Sequence, residues 1–365
     1  MTISAINEYQ KLQFAKINSP SFKSKVVSPP QLKQDTVEIS PENKKKKEGM
    51  STGLKLLLGI GGTSLALYGA LVAHRAVTKP SLEALQKDFK EIFRRDVSMD
   101  EIPEMLGKYQ EILNIKDEKE FCQKAFNQVK KDYGYGDLNI NLALDESTGG
   151  VLGGGWHSSG QDFRIFYKNI IYNHNNIFNR QTRADILGTF FHEFQHVKQT
   201  EYCVRTDLEK YVQAVKRDDV INHNYITEIE KILKDSARLS QLANQKHLTI
   251  EETTTKLNQE LNVLKTKGYK AMPDYVAEIN KQVNTIRKRL DELFGKYEKF
   301  KPESEEYKLG EKYTKNYGNY IEAQKDSANE EYRAQTIEKE AFNAEDLSRD
   351  IPKRLRSIWN VFSAA

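Results

Sequence analysis

The stretch TRADILGTFFHEFQHVKQTEY, residues 182–202, decides how this chain is read. Leu187, Phe190, Phe191, Phe194 and Val197 recur at spacings of three and four, the signature of a helix with one wide apolar face. Thr182 and Asp185 form a capping-box pattern with Asp in place of Glu, which sets the helix start near Arg183. On this helix His192 and His196 lie one turn apart on the same face. Both imidazoles can therefore reach one metal ion at about 2.0–2.1 Å. Glu193 sits one step round, beside such an ion rather than on it, where a carboxylate can take a proton from a metal-activated water. The competing reading is a pair of satisfied core histidines with an ordinary helix ion pair at Glu193. Two imidazoles hold zinc weakly, and catalytic sites take three protein ligands and leave one position open, so the motif is half a site.

HEFQH, residues 192–196, resembles the HExxH of the zinc metallopeptidases, the zincins. The extended metzincin pattern is not matched, because Gln199 stands at its glycine position and Tyr202 at its third histidine. The segment TIEKEAFNAE, residues 336–345, looks like the gluzincin element in which a glutamate precedes a small residue by three positions, here Glu338 and Ala341. The resemblance implies Glu338 as third ligand, Zn2+ as cofactor, Glu193 as general base and a peptide or protein as substrate. It departs from the pattern at Phe342, where those families carry Asp. The outer partner of one histidine is then missing or comes from elsewhere. Glu340 is the alternative ligand. On a helix it stands about 200° from Glu338, so only one of the two faces the metal, and Ala341 and Glu345 share the face of Glu338. Tyr332, six residues before Glu338, is a candidate donor to a developing oxyanion, against aromatic packing among 18 tyrosines.

A small sheet is expected just before the motif. LNINLAL (138–144) and DFRIFYKN (162–169) alternate apolar and polar residues as strands do. The Gly-rich VLGGGWHSSGQ (151–161) between them lacks the GK[ST] ending of a phosphate loop and reads as a hairpin extension. DFRIFYKN is taken as an edge strand able to pair with an extended peptide. His157 and His174 flank it and read as loop histidines.

The remainder organises around this core. Residues 1–50 read as a disordered N-terminal region, with Pro-Pro, Ser-Pro and a lysine run at 44–47. Residues 54–76 read as a transmembrane helix, since Leu56–His74 is almost free of charge over about the 20 residues a bilayer needs. The expected location is therefore a membrane, single-pass, with the apolar helix as tether. Residues 81–203 read as the N-terminal part of a metallopeptidase domain. Residues 204–302 read as a long charged helical insertion, a hairpin or coiled coil with its clearest break at Met272-Pro273. Residues 303–365 read as a C-terminal helical part carrying the third ligand. Cys122 and Cys203 make no disulfide framework. With 56 basic against 52 acidic side chains, the net charge of +4 gives no argument for nucleic acid.

The expected fold class is thus α+β, mostly helical, with a zincin-like catalytic domain. The expected function is a membrane-tethered, zinc-dependent peptidase. The alternative is a non-catalytic membrane-anchored helical adaptor with a degenerate zincin-like domain. An intramembrane protease does not fit, because Arg183, Asp185 and Lys198 interrupt any bilayer-length apolar run around the motif.

Overall fold

A computed structural model describes residues 83–147, 154–156, 162–320 and 329–363. The expected disordered region (1–50) and transmembrane helix (54–76) lie outside the described residues. Among the described residues no helix is long and apolar enough to cross a membrane. The chain is mostly helical, with one three-stranded sheet. Its described residues divide into two compact units, one within 111–349 and the other within 83–110 and 350–363.

In the smaller unit, helix α1 (83–93) buries Leu85, Phe89, Ile92 and Phe93, the face its periodicity marks. It ends at Arg94, whose φ of 50° no helix continues. Helix α2 (Glu101–Ile112) follows, and Arg95 pairs with Glu101 in its first turn at 2.6 Å.

The larger unit opens with α3 (Glu118–Asp132). Asp117 caps it by accepting from the Glu120 N–H at 2.8 Å, and Phe121, Ala125, Phe126 and Val129 are buried. The sheet comprises β1 (Asn141–Leu144), β2 (Gly154–Trp156) and β3 (Asp162–Ile165), in the order β1-β3-β2. β3 pairs with β1 in parallel, Asn141 opposite Asp162, and with β2 antiparallel, Trp156 opposite Phe163. Two expectations are corrected here. DFRIFYKN is a strand only as far as Ile165; its second half belongs to α4 (Tyr167–Asn173), where Tyr167, Ile170 and Ile171 are buried at helical spacing. β3 is also the central strand, so its backbone is already paired on both sides, and the sheet edges are β1 and β2.

β2 forms inside the Gly-rich stretch because the space admits only glycine. A Cβ on Gly154 would stand 2.8 Å from Ile165 Cδ1, 2.9 Å from Thr189 Cγ2 and 3.2 Å from Glu193 Cγ. The strand is thereby pressed between β3 and the helix carrying HEFQH.

That helix, α5 (Arg180–Lys216), starts one turn earlier than the capping-box pattern predicts. Asn179 is the cap, accepting from the Thr182 N–H at 3.0 Å, while the Thr182 hydroxyl donates to Ile177 O at 2.6 Å. Phe190 and Phe194 close an aromatic core with Phe126 and Phe163; the Phe163 and Phe194 rings are 4.6 Å apart. α5 runs without a break through residues 203 and 204 and kinks at Asp207, whose carboxylate accepts from the Lys210 N–H and so caps the second segment.

Beyond it come α6 (Asp218–Lys234), α7 (Ser236–Gln245), α8 (Ile250–Lys267) and α9 (Pro273–Phe294). The break at Met272-Pro273 stands where expected, with Pro273 in the first turn of α9. The region is nonetheless cut more often than a hairpin of long helices. Arg217 (φ 43°), the Asp235 and Thr249 caps and Gly268 (φ 74°) each end or restart a helix. α10 (Glu305–Gly318) lies along α5, with Gly310 against Tyr202 and Thr206. A short α11 (Asn329–Ala334) leads into α12 (Thr336–Ser363).

Candidate metal centre

α12 returns the chain to α5, and the close approach is set by small residues. Ala341 is fully buried, and a Cβ on Gly188 would meet Glu345 Cγ at 3.0 Å and Ser348 Oγ at 3.3 Å. Glu338, Ala341 and Glu345 recur at three and seven residues, so all three lie on the face of α12 that meets α5. Glu338 is thereby carried to HEFQH.

Three donor side chains converge. His192 Nε2 and His196 Nε2 are 3.2 Å apart, His192 Nε2 is 3.6 Å from Glu338 Oε2, and His196 Nε2 is 3.6 Å from Glu338 Oε1. Ligands bound tetrahedrally at about 2.0–2.1 Å stand about 3.3–3.4 Å from one another, so the three side chains are close enough to share one metal ion, each imidazole nearest a different oxygen of Glu338. All three side chains are 0% exposed. Glu340, the alternative ligand, is directed elsewhere: its carboxylate accepts from the Tyr313 hydroxyl and lies 3.5 Å from Gln199 Nε2.

Each imidazole has a polar side chain at its outer nitrogen, hydrogen-bonded in His196 and at ion-pair distance in His192. His196 Nδ1–H donates to Gln199 Oε1 at 2.9 Å, and Gln199 Nε2 in turn donates to Ile337 O at 2.9 Å. This fixes the tautomer in which Nε2 carries no proton and is free to act as an acceptor or ligand. His192 Nδ1 faces Glu345 Oε2 at 3.3 Å. The acidic partner that Phe342 does not supply therefore comes from three residues later, while the Phe342 ring packs edge-on to the His192 ring at 4.8 Å.

Glu193 is beside the triangle and fully buried. One oxygen, Oε2, accepts from the Trp156 N–H of β2 at 2.8 Å; the other has no hydrogen-bond partner. Tyr320 donates to Glu338 Oε1 at 3.0 Å. The Tyr332 hydroxyl is buried, makes no hydrogen bond of acceptable geometry, and sits near Glu338, with its ring against Tyr320 and Phe342. His174, by contrast, is tied to Asp185 at 2.9 Å, and His157 lies outside the described residues.

The electrostatics favour a cation. Glu193, Glu338 and Glu345 are buried together, and among the described residues neither Glu193 nor Glu338 is paired with a lysine or arginine. Burial pushes Glu193 up to about 8, and Glu338 and Glu345 push the same way against His192 and the Trp156 N–H. Burial opposes charge on His192, yet Glu338 and Glu345 outweigh it and hold its pKa up, at about 10. Burial pushes His196 down to about 4. Glu338 is held below its usual range, the cost of burial being outweighed by His196 and His192. Unpaired charges of this kind are expensive in an interior, and a divalent ion among them removes the imbalance. The orphaned Glu338 Oε2 and Glu193 Oε1 and the N,N,O donor set fit zinc.

Sequence reasoning located the two histidines, Glu193 and Glu338. It missed Tyr320 and assigned no role to Gln199 beyond its mismatch with a glycine. Glu345 was visible only as a residue on the face of Glu338. Comparison with family models, with curated proteins and with solved structures finds no match to this chain.

Proposed function

We propose that the chain is a zinc-dependent peptidase of gluzincin type, with His192, His196 and Glu338 as metal ligands and Glu193 as general base. The observation that carries this reading is the convergence of three buried donor side chains with a half-satisfied glutamate beside them. Zinc bound there would supply a Lewis acid and lower the pKa of a coordinated water toward about 7.

The chain's own residues divide the remaining work. Glu193 takes the proton of the attacking water on its unpartnered oxygen, while the Trp156 N–H fixes the other oxygen and so aims the carboxylate. The same glutamic acid then delivers that proton to the leaving amine nitrogen. Tyr332, whose hydroxyl has no other hydrogen-bond partner, donates to the oxyanion as the carbonyl becomes tetrahedral. Gln199 holds His196 in the ligating tautomer. The four central residues are fully buried in this conformation, so a peptide reaches them only after the residues around them move. The apolar run at 54–76 would tether the enzyme to a membrane.

The same burial favours a second reading, a non-catalytic membrane-anchored helical adaptor in which the metal serves only structure. Elemental analysis of purified protein and of Glu193→Gln separates the two. One zinc per chain, with hydrolysis of a quenched peptide library that Glu193→Gln abolishes without loss of zinc, supports the peptidase. One zinc without hydrolysis supports the adaptor. Metal-free protein after dialysis against zinc removes both forms of the metal centre.

A further inference from the structure

The face of α12 that delivers Glu338 delivers a second buried carboxylate seven residues on. Glu345 is 0% exposed, and its two oxygens turn in opposite directions. Oε2 lies 3.3 Å from His192 Nδ1, and Oε1 pairs with the Arg349 guanidinium one turn further along α12. Arg349 also reaches across to α5, its Nε 3.0 Å from Asp185 Oδ1, and the other oxygen of Asp185 lies 2.9 Å from His174 Nε2. A chain of polar contacts thus runs from the partly exposed His174 to His192, spanning both helices. Gly188 sits in the middle of it, one turn before His192, where a Cβ would stand 3.0 Å from Glu345 Cγ and would press on that side chain.

We propose that Glu345 is the positioning residue of His192, and that Arg349 and Asp185 hold Glu345 in place for that task. The inference rests on the metal-centre reading above. A carboxylate on the outer nitrogen keeps the imidazole in the tautomer whose Nε2 is free, sets the ring plane and raises the basicity of the ligating nitrogen. His196 has a neutral amide, Gln199, in the same position, so the two imidazoles are supported unequally and His192 is the more basic ligand. The Arg349–Asp185 pair has a separate use. A buried glutamate is free to rotate among rotamers, and pairing its distant oxygen removes that freedom while partly neutralising its charge.

The test is zinc affinity of the full chain, measured by competition with a chelating dye, for wild type, Glu345→Gln and Arg349→Met. Cobalt-substituted protein is examined in parallel by its visible d–d absorption. The expected result is unchanged stoichiometry with affinity about 10- to 100-fold weaker in Glu345→Gln, a smaller loss in Arg349→Met, and a displaced d–d band in both. Melting of the metal-free forms is compared as well, because a purely structural role would lower that melting and leave the cobalt spectrum unmoved. Affinity and spectrum matching wild type in both variants would overturn the proposal while leaving the metal centre standing. Wild type that binds no zinc removes the metal centre itself. If Glu345→Gln does not fold, Arg349→Met decides by the same two measurements, since Arg349 is 31% exposed and at the margin of the site.

Discussion

Replacing Gly154 by alanine tests the part of the fold that places Glu193. The added methyl would stand 2.8 Å from Ile165 Cδ1 and 2.9 Å from Thr189 Cγ2, both closer than Cβ contacts allow, and 3.2 Å from Glu193 Cγ. None of the three can retreat easily. Ile165 is fully buried in β3, and Thr189 is held by its hydroxyl, which donates to Asp185 O at 3.1 Å. Glu193 is held by the Trp156 N–H. Overpacking of this kind costs about 1–3 kcal/mol. Alanine also narrows the unfolded ensemble, which returns about 0.4–1 kcal/mol. The net loss is therefore about 0.5–2 kcal/mol, a lower urea midpoint at unchanged slope. Gly107 is the control. It lies inside α2 with nothing within 4 Å of its built Cβ, so Gly107→Ala is expected to stabilise by about 0.5–1 kcal/mol from helix propensity alone. If Gly154→Ala matches or exceeds wild type in urea, β2 is not wedged between β3 and α5, and the hydrogen bond that aims Glu193 loses its structural basis.

The choice of third ligand is checked by zinc content: Glu338→Gln is expected to lose the metal on dialysis, whereas Glu340→Gln keeps it, because Glu340 is turned to Tyr313. A reversed outcome moves the ligand by two residues and with it the register of α12. The acid limb of the stability curve should depend on Glu201, which is buried with Tyr135, Lys198 and Arg205 around it. Burial raises its pKa, but Lys198, Tyr135 and Arg205 outweigh it and hold the carboxyl below its usual range. A depressed folded pKa means stability that is present above the unfolded value and is lost as pH falls through the folded one. Glu201→Gln should therefore be less stable than wild type at neutral pH and converge with it in acid, as followed by circular dichroism; a constant gap at every pH refutes the charge argument.

The helix of HEFQH was legible because burial writes itself into spacing: Phe190, Phe194 and Val197 had to share a face wherever the helix packed. Glu338 came from the resemblance to the gluzincin element; helical geometry added only that Glu338 and Glu340 face different ways, and it is Glu338 that stands beside the two histidines. β2 was not legible. Its strand depends on the absence of a side chain at Gly154, which fits a gap whose walls, Ile165 and Thr189, come from two other elements. The central position of β3 was hidden for the same reason: alternation reports which face of a strand is buried, not how many neighbours its backbone has. The boundary errors have local causes. Asn179 and Thr182 are both competent caps, and the choice fell to Asn179 because the Thr182 hydroxyl was drawn to Ile177 O.

The outer partners of the two histidines show where residue-by-residue comparison with a known pattern stops and packing takes over. The pattern places an acidic residue four positions after the glutamate; here that place is Phe342, whose ring lies against His192 and cannot accept a hydrogen bond. On a helix, four residues and seven residues advance by about 40° and about 340° respectively, so both positions border the same face. A carboxylate at either can reach one imidazole, the more distant one only if the facing helix comes close. Gly188 provides that closeness, and Glu345 provides the carboxylate. The departure at Phe342 is thus offset by two residues that no linear motif links, one on each helix. Gln199 makes the same point in the other direction: read as a mismatch to a glycine, it is the acceptor that sets the tautomer of His196 and ties α5 to Ile337 O at the start of α12. Both residues border an arrangement in which the two imidazole Nε2 atoms stand 3.2 Å apart beside Glu338, and that arrangement constrains geometry more tightly than it constrains sequence.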